Sequence, residues 1–147
     1  MIRFLLSIFL TLLCFGFSAV GQSSTSMSKS KVTKQKELND KGDSAVVYYG
    51  VASYYADKFN GRLTATGAAY SHEAKTAACN VLPLGTWILV TNLKNNKKIV
   101  VQINDRLHAK NNRVVDLSKS AAAKIGYIKS GLARVKVEVL GKKKPKD

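Results

Sequence analysis

The fold of this chain is decided by the stretch IVVQINDR, residues 99–106. Four of its first five side chains are apolar and β-branched, which is typical of a buried strand. The strand then ends abruptly in Asn104, Asp105 and Arg106, three polar side chains that are costly to bury together. Such an ending either forms a turn, because Asn and Asp bond their own backbone, or holds an acid on a rigid support. These residues alone leave both interpretations open.

The first 21 residues have the composition of a secretory signal peptide. A basic start at Arg3 precedes an almost wholly apolar run over residues 4–20, and Ala19 and Gly21 offer the small residues that signal peptidase reads. We therefore expect cleavage near Gly21 and export to the periplasm or cell envelope, with no stable membrane insertion afterwards. A membrane anchor is the alternative, because the run is nearly long enough to span a bilayer. Lipidation at Cys14 ranks lower, since a bulky residue precedes it.

Polar and basic segments flank the expected domain, residues 45–140. Residues 22–44 are rich in Ser, Thr and Lys and predict a flexible linker, and residues 141–147 form a basic tail. Loss of Arg3 with the signal would lower the formal charge from +15 to +14. Such a charge is typical of nucleic-acid binding, but export favours anionic wall polymers as partners. We therefore expect no nucleic-acid partner.

Runs of β-forming residues separated by turn signals follow one another along the domain. The predicted strands are residues 46–55, 86–93, 98–104, 113–117 and 132–140, of which the second and third form a hairpin. Gly50 predicts a bulge or a close approach to another segment. The polar segment 56–74 is expected to be a functional loop, since compact domains seldom hold long loops otherwise. Ser118 is expected to cap a short helix over residues 119–125 that Gly126 ends.

Only one of the two cysteines, Cys79, lies outside the predicted signal, so the mature chain is expected to have no intramolecular disulfide. A hydrophobic core must therefore hold the domain together. Many short strands with one small helix indicate a closed β-barrel of about six strands. We expect a monomer.

Seven sequence blocks carry a resemblance to a known family. They are GVASYY at 50–55, FNGRLTATG at 59–67, TAA at 76–78, LPLGT at 82–86, VTNL at 90–93, INDR at 103–106 and VDLS at 115–118. In order and spacing they resemble the rare lipoprotein A (RlpA) family, over about residues 50–140. The resemblance implies a mainly β fold, a six-stranded double-psi β-barrel with one short α-helix, which expansins share.

The resemblance also implies a lytic transglycosylase, a lyase that acts on peptidoglycan. Such an enzyme cleaves the bond between N-acetylmuramic acid and N-acetylglucosamine and leaves a 1,6-anhydro end, and no cofactor and no metal is implied. Asp105 matches the catalytic position. One carboxyl group can suffice, because an internal sugar hydroxyl replaces the water of ordinary glycoside hydrolysis.

Further groups are expected around Asp105. The predicted substrate-binding residues are Thr64, Tyr70, Ser71, Cys79, Asn104, Arg106 and His108. Glu73 and His72 are possible substitutes as acid or base. Four aromatic side chains are candidates for a floor on which sugars stack, although about half of them are expected to be core; these are Tyr54, Tyr55, Phe59 and Tyr70.

The chain departs from the family pattern at several polar positions. Ala68 and Ser71 replace a Glu and an Asp, Cys79 replaces a His, and Leu107 and His108 replace a Gly-Pro turn. Two carboxylates and an imidazole are therefore missing from the expected groove. A wall-glycan binding module that kept the groove and lost the chemistry is the alternative hypothesis.

Overall fold

A computed structural model describes residues 31–39 and 42–146. The predicted signal peptide lies outside these residues, as do residues 22–30 of the predicted linker. The described chain forms β1 (Thr33–Leu38), β2 (Ser44–Tyr54), a 3-10 turn (Asp57–Phe59), β3 (Thr76–Ala78), β4 (Trp87–Asn92), β5 (Lys98–Asp105), β6 (Val115–Leu117), α1 (Lys119–Lys124) and β7 (Ala133–Gly141). No helix within residues 31–39 and 42–146 is long and apolar enough to cross a membrane.

Six of the strands close into a barrel. Their order is β2-β6-β3-β5-β4-β7, and β7 pairs with β2 to complete the ring. The β2–β6 and β3–β5 pairs are parallel, whereas the other pairs of the ring are antiparallel. The sequence-based prediction of a mainly β, six-stranded barrel with one short helix is confirmed.

The β4–β5 hairpin supplies the rigid support that the β-branched pattern of residues 99–103 predicts. Its strands pair from Trp87 opposite Gln102 to Thr91 opposite Lys98. Val101 and Ile103 are fully buried, so β5 is fixed by the core up to its polar end. Burying one such side chain contributes about 1.5–3 kcal/mol to folding.

Gly50 allows a close approach between β2 and the segment before β6, as its place in the strand predicts. A Cβ atom at Gly50 would lie 2.9 Å from Cβ of Val114. Any other residue would push the two segments apart. This contact fixes the start of β6 against β2.

The predicted linker is wrong over Thr33–Leu38, which forms β1 and pairs antiparallel with the first half of β2. No sequence pattern indicates this strand, because it is almost wholly exposed and shows no apolar alternation. Backbone pairing and a few side-chain contacts hold it instead. β3, only three residues long, was not predicted as a strand.

The predicted cap of α1 is also corrected. Ser118 occupies the N-cap position, but its side chain makes no capping hydrogen bond. Its hydroxyl is buried and has no hydrogen-bond partner among the described residues. The helix ends at Lys124, and Gly126 follows it with a φ of 76°, as its predicted role requires.

Glu37 is the side chain that anchors β1 to the barrel. Its carboxylate accepts a hydrogen bond from the Tyr49 hydroxyl at 2.8 Å and lies 2.8 Å from Nζ of Lys136. The bonds from Lys136 and then from Tyr49 lower the pKa of Glu37 from its ordinary value. The ionised form of Glu37 therefore stabilises the pairing of β1 with the barrel.

We expect Glu37→Gln to speed amide hydrogen exchange in β1 at neutral pH without changing exchange in β4 and β5. Since the folded state lowers the pKa, the stabilisation is complete above the ordinary pKa of glutamate and is lost as the pH falls through the lowered value. Wild-type β1 should therefore loosen in acid. Lys36→Gln, a change on the exposed strand, is the control. Equal exchange in wild type and Glu37→Gln would contradict this role.

Candidate active site

A groove of about 520 Å³ lies beside the end of β5. Its walls come from the end of β2, the loop that follows β2, and the segments after β5 and before β6. Two kinds of side chain dominate the lining. The aromatic ones are Tyr54, Tyr55, Phe59 and Tyr70, and the charged ones are Arg62, Asp105, Arg106, Arg113 and Asp116.

Asp105 lies in the groove as the last residue of β5. Its Oδ1 accepts hydrogen bonds from the backbone N–H groups of Ala65 and Arg106, both at 2.8 Å. Its Oδ2 accepts one from the Tyr55 hydroxyl at 2.7 Å. The backbone N–H of Cys79 donates to the carbonyl of Asp105 at 3.1 Å. The main chain and the side chain of Asp105 are therefore both fixed. This favours a held acid over a turn residue that bonds only its own backbone.

Tyr55 is the phenol that orients this carboxylate. Burial, followed by the hydrogen bond to Asp105, raises the pKa of Tyr55 far above its ordinary value. The hydroxyl therefore stays protonated and donates. The ring stacks on Tyr70 with centroids 4.2 Å apart and meets Phe59 edge-on at 6.0 Å.

The four predicted floor residues thus line one groove but have different roles. Tyr70 is only 3% exposed, so its ring supports Tyr55 from below. The hydroxyl of Tyr54 donates to the carbonyl of Ile128 at 3.1 Å, which anchors that ring. Tyr55 and Phe59 are half-buried and offer the accessible aromatic surface.

Thr64 shapes the loop that delivers the Ala65 N–H, and it does not line the groove. Its hydroxyl donates to the carbonyl of Ala68 at 2.9 Å and lies 2.9 Å from that of Thr66. The Thr66 N–H in turn donates to the carbonyl of Asn104 at 3.2 Å. Thr64, predicted to bind substrate, instead stabilises this loop through its hydroxyl.

Cys79 is likewise corrected as a substrate-binding residue, because its side chain is 0% exposed and belongs to the core. A register shift between Ala77 and Ala78 in the β3–β5 pairing accompanies three successive buried side chains there. Burial raises the pKa of the Cys79 thiol. Cys79 is therefore a structural thiol of the core.

Arg106 lines the groove, but its guanidinium turns towards the chain after β3. Nη1 donates to the carbonyl of Cys79 and, at 2.8 Å, to that of Leu82. Asn104 does not line the groove, and its carbonyl binds the Thr66 N–H. The Arg106 guanidinium therefore stabilises the segment that follows β3.

The remaining predicted residues divide into one inside the groove and three outside it. His108 lines the groove and its Nδ1 accepts from the Lys110 N–H at 3.3 Å. Ser71 lies outside and its hydroxyl accepts from the Glu73 N–H at 3.2 Å. His72 lies outside with Nδ1 3.0 Å from the Tyr70 hydroxyl, and Glu73 is the third residue outside. Neither substitute acid or base is therefore brought to Asp105.

Sequence reasoning missed an ion pair in the groove between Arg113 and Asp116. Two nitrogens of the guanidinium donate to the two carboxylate oxygens at 2.6 and 2.8 Å. In the sheet, Ala78 pairs with Asp105 on one side and with Asp116 on the other. In the sequence, only the VDLS block drew attention to Asp116, and nothing in that block indicated Arg113 as its partner.

The two groove carboxylates differ in their surroundings as a result. Both oxygens of Asp116 are engaged by one guanidinium, whereas Asp105 faces one phenol and two backbone N–H groups. No group of three or more His, Cys, Asp or Glu side chains within residues 31–39 and 42–146 could hold a metal ion.

A family model described as lytic transglycolase matches residues 47–137. The chain belongs to this family. Endolytic peptidoglycan transglycosylase RlpA of Pasteurella multocida is 50% identical over 91 residues, 62% of this chain and 31% of that protein. The protein of the same name from Campylobacter jejuni is 48% identical over 92 residues, 63% of this chain and 34% of that protein. The chain thus spans about a third of the length of these curated relatives.

Two solved structures share the fold of this lytic transglycolase family member. Streptomyces papain inhibitor matches with a TM-score of 0.51 at 21% identity, over 63% of this chain and 94% of that chain. The apo expansin of Clavibacter michiganensis matches with a TM-score of 0.52 at 20% identity, over 69% and 52%. The fold is the double-psi β-barrel that the sequence blocks implied.

We expect Cys79 to resist iodoacetamide in the folded protein at mildly alkaline pH and to react in denaturant, because burial keeps the thiol protonated and inaccessible. Cys79→Ser should lower the free energy of unfolding by about 1–3 kcal/mol, since it buries a hydroxyl. Cys79→Ala is the matched apolar control in chemical denaturation. Rapid alkylation of the native protein would contradict the buried placement.

Proposed function

We propose that this domain is an endolytic peptidoglycan transglycosylase with Asp105 as its acid and base. The observation that carries the proposal is the fixed carboxylate of Asp105 in an open, aromatic-lined groove. The names of the relatives support the same reaction and substrate. In this proposal the domain acts as an exported monomer in the periplasm or cell envelope, on glycan strands.

The proposed reaction needs one proton-transferring group. Protonated Asp105 gives its proton to the glycosidic oxygen as the bond from the muramic anomeric carbon to that oxygen breaks. The muramic 6-hydroxyl oxygen then bonds to the anomeric carbon, and its proton passes to the Asp105 carboxylate. The products are a 1,6-anhydro end and a free hydroxyl on the leaving sugar, and no water is consumed.

The hydrogen bonds of Asp105 leave room for this step. A carboxylate has about four acceptor positions on its two oxygens. Two backbone N–H groups occupy Oδ1 and the Tyr55 hydroxyl occupies one position on Oδ2. The remaining position on Oδ2 is the one that would exchange a proton with the sugar.

The aromatic wall suits a sugar substrate. Tyr55 and Phe59 lie edge-on to each other beside Asp105 and are only half-buried. The apolar C–H face of a sugar ring packs well on such aromatic side chains. A glycan that runs along this wall would place one of its bonds near Oδ2.

A catalytically impaired glycan-binding module is the second candidate, and one observation favours it. Asp116, the other groove carboxylate, is engaged by Arg113, and Cys79 is buried where the family pattern places a His. The groove therefore offers Asp105 no second free carboxylate among the described residues. Binding without cleavage is the behaviour this candidate predicts.

We expect Asp105→Asn to fold normally, to bind sacculi and to lower the release of anhydro-muropeptides by about a hundredfold or more, because an amide cannot transfer the proton. Chromatography and mass spectrometry of digested sacculi measure the products. Asp57→Asn, at an exposed carboxylate outside the groove lining, is the matched control. Unchanged cleavage by Asp105→Asn would contradict the assignment, and binding without cleavage by wild type would favour the binding module.

A further inference from the structure

Three arginines line the groove, and two of them are occupied by the protein itself. Arg106 donates to the carbonyls of Cys79 and Leu82, and Arg113 holds Asp116. Arg62 differs from both, because no carbonyl or carboxylate of the described residues accepts a hydrogen bond from its exposed guanidinium. It is therefore the groove guanidinium available to a ligand.

Arg62 is held in place from both sides. Its backbone N–H donates to the carbonyl of Phe59 at 3.0 Å, and its carbonyl accepts from the Tyr70 N–H at 2.8 Å. The guanidinium carbon lies 5.6 Å from the centroid of the Phe59 ring. A guanidinium that lies over an aromatic ring keeps its N–H groups free to bind an anion.

The Phe59 ring connects this cation to the reacting carboxylate. Phe59 meets Tyr55 edge-on at 6.0 Å, and the Tyr55 hydroxyl holds Asp105. A sugar stacked on this aromatic wall would lie with Asp105 at one end and Arg62 at the other. A charged substituent on that sugar, or on its neighbour, would meet the guanidinium.

We propose that Arg62 binds a carboxylate of the glycan substrate and so makes the groove selective for acidic over neutral glycan strands. This inference rests on the proposed function, in which the substrate contains muramic acid. A muramic residue carries a lactyl carboxyl, which is either free or joined to a peptide that ends in its own carboxylate. Arg62 is suited to either, because its planar guanidinium forms paired hydrogen bonds with a carboxylate and stays charged at any physiological pH.

Lys58 provides a matched control on the same ring. Its Nζ lies 5.4 Å from the Phe59 centroid, yet it does not line the groove. Removal of either cation lowers the net charge equally and removes one cation from the same ring. Only the loss of Arg62 removes a cation that faces the groove.

The test measures binding of purified glycan strands in an Asp105→Asn background, so that no strand is cleaved. The strands are used as isolated and after conversion of their carboxylates to methylamides, and a neutral chito-oligosaccharide is a third probe. We expect about tenfold tighter binding of the unmodified strands than of the amidated ones, and a loss of that preference at high salt. Arg62→Gln should abolish the preference, Arg62→Lys should keep part of it, and Lys58→Gln should leave it intact.

The outcomes separate this inference from the proposed function. If Arg62→Gln keeps the preference, or weakens all three probes equally with an unchanged melting temperature, the carboxylate contact is wrong while glycan binding stands. If the background protein binds none of the probes, both the proposed function and this inference are overturned.

Discussion

The structure depends on how the end of β5 is held. Asp105 is fixed through its backbone by the Cys79 N–H and through its side chain by Ala65, Arg106 and Tyr55. Arg106 is the next residue along the chain, and the other three partners come from three separate segments. Because the site is built where they converge, its geometry requires the folded barrel.

This convergence also determines the distribution of charge in the groove. Arg106 donates to backbone carbonyls and Arg113 pairs with Asp116, which leaves Asp105 with one phenol and backbone amides as its donors. Hydrogen bonds of that kind fix the direction of a carboxylate without pairing it to a cation. In our proposal, this is what lets one carboxyl group both give and accept a proton, while the guanidinium of Arg62 faces the ligand.

Local patterns predicted most of the barrel, because strands with one buried face alternate in the sequence. β1 was missed because its side chains are exposed and the strand is held by its pairing with β2. Its place at a strand end left Asp105 as either a turn residue or a held acid, and only the family resemblance favoured the acid. The hydrogen bond from Tyr55, which is 50 residues away, depends on how the strands pair and could not be predicted from local patterns.

The errors in the site have the same origin. Side-chain direction at Cys79 follows a register shift in β3, and that of Thr64 follows loop hydrogen bonds. Neither is encoded in residue type or spacing.

In the proposed mechanism a sugar hydroxyl, and not water, attacks the anomeric carbon while Asp105 transfers the proton. Digestion of glycan strands in water labelled with heavy oxygen tests it most directly, with the products read by mass spectrometry. We predict products lighter than hydrolysis products by one water molecule and free of the label. Labelled oxygen at new reducing ends, formed as fast as strands are cleaved, would contradict it.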